Sequence, residues 1–282
     1  PIKNIVFSQV DSRVLPANNP AAFASKIISD RFPGQEGNPV EIVIPKGALV
    51  QPEVTKYISE VSKVDGIVRV SPPQIFGDDL RITAVHSMPP RTLKGESLIK
   101  DIREIKSPEG TLIGGIAADY ADTQIGIAKI MPWALTWIAV GVLILLFVFT
   151  GSIILPIKAV ILNILSLAAT LGAITWIFVD GHLRWLVGDF TVTGAVDTGS
   201  IILVAVVAFG LSMDYELFLL SRIKEEHDAG KSNIESVAIG LQRSARIITA
   251  AAGLLAIVFA SFIISGVTSI KMLGFGVAFA IL

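Results

Sequence analysis

Phe209-Gly-Leu-Ser-Met-Asp-Tyr-Glu-Leu-Phe-Leu-Leu-Ser-Arg222 sets an acid in the middle of an otherwise apolar run that extends from Ile201 to Leu220. A run of that length crosses a bilayer, for which about 20 residues suffice. A carboxylate at the centre of such a span costs roughly 2.5–3.5 kcal/mol on insertion scales. Reach offers no way out. From Asp214 to Ser221 a helix climbs about 10 Å at roughly 1.5 Å per residue, far beyond an aspartate side chain. Asp214 is therefore expected to serve a function, and proton handling is the leading one.

Similar apolar runs surround it. Spans are expected over about 132–150, 153–179, 200–220 and 247–265, and a further run from 272 reaches the last residue, 282. The segment 221–246 holds Arg222, Lys224, Lys231, Arg243 and Arg246, whereas Arg184 is the single Lys or Arg of 180–199. The positive-inside rule then puts 221–246 in the cytoplasm and 180–199 outside. Counting back, the 151–158 turn with Lys158 is inside and the N-terminal part is outside. Trp133, Trp137 and Trp176 fall near span ends, where interfacial aromatics gather. On the acid-bearing span, Gly210, Asp214, Leu217 and Ser221 share a stripe. Gly210 offers a neighbouring helix close approach, so Asp214 is expected to face a helix or a wet cavity. Glu216 projects roughly 200° away from it and needs a partner of its own. Asn163 is expected to make an interhelical hydrogen bond, and Gly172, Gly253, Gly274 and Gly276 to be close-packing positions. The charged loop 224–231 reads as a solvated turn, with His227 at its surface.

The chain of 282 residues is 52% hydrophobic and 17% charged, but its halves differ. Residues 1–128 hold most of the charges and prolines and read as a water-soluble domain; residues 129–282 read as a membrane bundle. A net charge of −1 argues against nucleic acid as a partner. Without cysteine there is no disulfide framework and no thiolate metal site. The start shows no initiator Met and no signal-peptide pattern, and the last residues stop within an apolar run. Both ends are therefore expected to be interior to a longer protein.

In the first half, strands are expected at 40–45, 66–71, 80–86 and 111–117, with helices over 20–31, 52–64 and 93–105. Two β-α-β units in tandem indicate a ferredoxin-like α+β split sandwich with its helices on one face. Nothing here has the spacing of a catalytic or metal site. His86 is a lone histidine at a strand end, and Asp78-Asp79 beside Gly77 reads as turn chemistry.

The segment 209–226, followed by Arg246-Ile-Ile-Thr-Ala-Ala-Ala252, strongly resembles the MmpL family of the RND superfamily, large actinobacterial lipid exporters. Asp11-Ser-Arg-Val-Leu-Pro16, Phe32-Pro-Gly34, Gly114-Gly-Ile-Ala-Ala-Asp119, Leu155-Pro-Ile-Lys-Ala159 and Trp176-Ile-Phe-Val-Asp-Gly181 agree with it. The likeness is nearest to the branch that exports trehalose monomycolate for the mycolic-acid layer of the cell envelope. It implies the second half of a twelve-span, proton-driven transporter of the bacterial inner membrane, with the soluble domain extracytoplasmic. In that family an Asp-Tyr pair works with a matching pair in the first half. Carried over, Asp214 takes up and releases the proton and Tyr215 hydrogen-bonds the opposite aspartate, with Gly210, Ser212 and Glu216 as possible support. The implied partners are a lipid or glycolipid, protons, the membrane and the missing N-terminal half; no metal or cofactor is implied.

Two other readings compete. A non-transporting sterol-sensing or scaffold protein of similar fold would tolerate loss of Asp214. An intramembrane aspartyl protease needs a second membrane aspartate, and Asp180, Asp189 and Asp197 lie in the outer loop.

Overall fold

The computed structural model describes residues 7–282 apart from 10, 17, 33 and 193. One compact unit comprises Phe7–Ser12 with Ala17–Ile130, the other Arg13–Pro16 with Met131–Leu282.

In the first unit, helix α1 spans Pro20–Arg31, and the Asn19 side chain caps it by accepting from the Ala21 N–H at 2.9 Å. Strand β1, Val40–Ile44, alternates: Val40, Ile42 and Ile44 are fully buried, while Glu41 and Val43 are half-covered. The remaining strands are β2 (Ile67–Val70), β3 (Gln74–Phe76), β4 (Asp79–His86) and β5 (Leu112–Gly114). Their order is β2-β4-β1-β5 with every pairing antiparallel, and β3 pairs with the start of β4. The register Val40↔Ala84, Ile42↔Ile82, Ile44↔Leu80 stacks three buried pairs on one face. Helix α2 (Gln51–Val61) covers that face through Val54, Tyr57 and Val61, and α3 (Leu93–Glu104) through Leu98, Ile99 and Ile102. Ala117, Ala118 and Ala121, from the start of helix α4 (Ile116–Thr150), complete the core. Each fully buried Ile, Leu or Val here contributes roughly 1.5–3 kcal/mol.

Two sequence expectations are corrected in this unit. The last strand ends at Gly114 instead of continuing to Ala117. Gly115 has a φ of +99°, and a Cβ there would stand 2.4 Å from the Pro39 carbonyl oxygen, so the chain turns and a helix starts at Ile116. The short strand β3 follows Pro72-Pro73 and was not anticipated. On the face away from the helices, Arg81 donates to both carboxylate oxygens of Glu41 at 2.8 and 3.0 Å and holds that carboxyl below the usual range. His86 is fully buried, with Nε2 3.0 Å from the Asn38 carbonyl oxygen, and burial pushes its pKa below the ordinary histidine value. Gly77 and Asp78 form the turn expected there, whereas Asp79 Oδ1 accepts from the Lys46 N–H at 3.0 Å and ties the strand to a distant loop.

The second unit is helical. Among the described residues, four helices are long and apolar enough to cross a membrane: Ile116–Thr150, Ile154–Val179, Thr198–Asp228 and Asn233–Ile264. The first is α4, which begins well before the span expected from 132. The second is α5 (Ile154–Ile174), which continues as a π-helical turn over Thr175–Val179. A short helix, α6 (Arg184–Val187), precedes α7 (Thr198–Asp228), α8 (Asn233–Ser261) and the shorter apolar α9 (Thr268–Ile281). Ile174, Phe178, Ile201, Val204, Met272 and Val277 form one core among α5, α7 and α9. A second core holds Leu146 of α4, Ala159 of α5 and Met213 of α7.

Of the glycines expected to pack closely, two do so. A Cβ at Gly274 would stand 2.5 Å from the Phe259 carbonyl oxygen, and one at Gly276 would stand 2.7 Å from Ile174 Cδ1. Gly172 and Gly253 meet open space instead. Much of the surface is apolar: Trp137 is 73% exposed, Val148 and Ile154 77% and Ile257 73%. Patches of this kind mark contact with lipid or protein rather than with water.

Candidate functional site

Helix α7 starts at a firm cap. Asp197 Oδ2 accepts from both the backbone N–H and the hydroxyl of Ser200, each at 2.7 Å. From there Ile201, Val204, Ala208 and Met213 turn inward and are buried. The opposite stripe carries Leu203, Val206, Gly210 and Asp214, all exposed. Asp214 thus stands near the middle of a 31-residue helix, on a side that no helix among the described residues covers.

The depth of the acid is fixed by a neighbour. Asn163 of α5 is 3% exposed and donates from Nδ2 to the Met213 sulfur at 3.3 Å, which is the interhelical bond expected of it. The residue before Asp214 is therefore pinned inside the bundle. Among the described residues Asp214 makes no hydrogen bond or ion pair. Tyr215, Glu216 and Ser212 are half-buried. Among the described residues Glu216 makes no hydrogen bond or ion pair, so the partner expected for it is not found. The expectation that Gly210 admits a neighbouring helix finds no such helix among the described residues, since a Cβ there would meet nothing within 4 Å. The structure thus leaves Asp214, Gly210, Leu203 and Val206 together on one open, mostly apolar stripe. An anionic side chain there requires either water or a covering partner.

The loop between α7 and α8 departs from its reading as a solvated turn. His227 is exposed as expected, but Glu226 is 4% exposed and is bonded by both Lys231 and Arg243. Arg243 lies 17 residues away on α8. A sequence signal for this exists: Ser236, Gly240 and Ser244 recur every fourth residue, all three are buried, and together they make a low face on α8. A Cβ at Gly240 would stand 2.9 Å from the backbone nitrogen of Ile223.

A model of the MMPL family matches residues 81–282. Over its whole length the chain is 33% identical to a putative membrane protein of Streptomyces coelicolor, of which it covers 39%. It is 31% identical to the trehalose monomycolate exporter MmpL3 of Mycobacterium tuberculosis, again over its whole length and covering 31% of that protein. Over 88% of the chain it is 31% identical to the heme uptake protein MmpL11 of the same organism, of which it covers 27%. The chain thus spans about a third of the length of the curated relatives it matches.

Proposed function

The chain belongs to the MMPL family of membrane transport proteins, and from that premise we propose that it forms part of a lipid exporter driven by protons through Asp214. The observation that carries this reading is the open stripe of α7. An acid sits at mid-helix among exposed apolar residues on a helix built to cross a membrane. In lipid that arrangement is costly unless more protein covers it, and the relatives are about three times as long as this chain. The missing cover is the first half of a twelve-span bundle, whose own Asp-Tyr pair faces Asp214 and Tyr215.

Enclosed in that way, the acid works as a switch. A proton arriving from outside removes the charge and changes which helix packing is cheapest. Each charge moved down the potential supplies about 2.3 kcal/mol per 100 mV. The basic α7–α8 turn lies in the cytoplasm by the positive-inside rule, which puts the proton source and the sheet unit outside the bacterial inner membrane. The antiparallel sheet with helices on one face is a ferredoxin-like sandwich of the porter type, which guides the lipid away from the bilayer. The named substrate of the MmpL3 relatives, trehalose monomycolate, makes an amphipathic glycolipid the expected cargo.

The test uses the full-length protein in sealed vesicles with a fluorescent glycolipid. An inward-directed proton gradient is expected to start lipid transfer, and a protonophore to stop it. Transfer that continues undiminished after the gradient has collapsed would refute the proton drive. The scaffold reading, in contrast, expects no transfer under either condition.

A further inference from the structure

We propose that Glu226 is a positioning residue for the acid-bearing helix: with Lys231 and Arg243 it locks α7 and the first half of α8 into one rigid hairpin, so that Asp214 moves only together with α8. This rests on the role proposed for Asp214.

A buried carboxylate is costly unless its oxygens are engaged by charge. Glu226 meets that condition from two sides, since Oε2 takes the Lys231 ammonium of the turn and Oε1 the Arg243 guanidinium of α8. The neighbouring acids behave differently. Glu225 pairs with Arg222 at 2.8 Å and Asp228 with Lys224 at 4.0 Å, both along the surface of one helix and both exposed. Pairs of that kind contribute little. Glu226, itself covered, instead joins α7 to the turn and to α8.

Three further features remove slack from the same hairpin. Close contact between Gly240 and the Ile223 backbone leaves no room for the helices to slide. Ser244 turns its hydroxyl back to the Gly240 carbonyl oxygen at 2.7 Å, which keeps the α8 face low. The start of α8 is fixed by a capping box between Ser232 and Glu235, and the turn passes through Gly230 at a φ of +90°. A proton switch needs helices that move as units, because a joint that yields at the turn would absorb the displacement before it reached the rest of the bundle.

The experiment places nitroxide labels on the full-length protein at two exposed positions, His227→Cys and Gln242→Cys, in a background freed of other cysteines. Pulsed dipolar spectroscopy is expected to give one narrow distance that is the same with Asp214 and with Asp214→Asn. Glu226→Gln is expected to broaden it and to lower export about tenfold at equal protein level, and Glu226→Asp to restore a narrow distance. Where Glu226→Gln does not accumulate, Arg243→Gln is read in its place and is expected to broaden the distribution likewise. A distribution in Glu226→Gln as narrow as the wild type overturns the proposal, as does a distance that already shifts between Asp214 and Asp214→Asn. Normal export by Asp214→Asn together with broadening in Glu226→Gln would remove the proton role and leave the lock standing.

Discussion

Asp214→Asn in the full-length protein is expected to reduce lipid export by on the order of a hundredfold or more, with the protein still present in the membrane at its normal level. The asparagine keeps the size of the side chain and its place on the open stripe of α7. It cannot gain or lose a proton, so a cycle that depends on proton exchange at this atom stops in one arrangement. Folding is not expected to suffer, because among the described residues Asp214 supports no hydrogen bond or ion pair whose loss would matter. Asp214→Glu keeps the chemistry while displacing the carboxyl, and partial export is expected from it. Export and protein level are read in the same cells. An export rate for the asparagine variant within a few-fold of wild type would mean that the acid is only a polar contact.

Gly274→Ala should destabilise the helical unit by about 1–3 kcal/mol, the usual cost of forcing an extra carbon into a packed interface. Its Cβ would meet the Phe259 carbonyl oxygen at 2.5 Å and Phe262 Cβ at 2.6 Å. A carbonyl on helix backbone cannot turn aside as a side-chain tip can, so α8 and α9 must separate. Gly253→Ala is the internal control. Its Cβ would meet nothing within 4 Å, and alanine is the better helix former by about 1 kcal/mol. Thermal unfolding of the detergent-solubilised chain is expected to shift downward for the first variant and to stay level or rise for the second. Equal shifts for both would mean that α9 does not pack as described.

The same comparison of glycines shows what a sequence can and cannot disclose. Spacing marks Gly253 and Gly274 alike, yet only the second faces another helix, because the identity of the neighbour depends on tertiary arrangement. Periodic signals fared better. The alternation of Val40–Ile44 fixed β1 and its buried face, and α1 runs from Pro20 to Arg31 as its proline start and the Phe32-Pro-Gly34 break imply. Helix α3 stops one residue short of its expected end. Strand β3 escaped notice because three exposed residues after two prolines carry no alternation to detect. The early start of α4 was hidden by Gly114-Gly115, which reads as easily as the interior of a strand as it does as a turn.

At the candidate site, the mid-helix acid was legible and its surroundings were not. An acid within an apolar run identifies Asp214 without any coordinates. Its surroundings could not be read from spacing: among the described residues the stripe of Leu203, Val206 and Gly210 beside it is open. Glu226 was missed for the opposite reason. Its local sequence, Glu225-Glu-His-Asp228, has the composition of a solvated turn, whereas one of the two cations that engage it, Arg243, lies 17 positions later on α8.

Infrared difference spectroscopy of the full-length protein in bilayers reads the protonation of Asp214 itself. Acidification is expected to produce a carboxylic C=O band that belongs to a group shielded from water, that is missing from Asp214→Asn, and that responds to the glycolipid. A band absent from wild type, or present unchanged in Asp214→Asn, would contradict proton exchange at this residue and with it the mechanism.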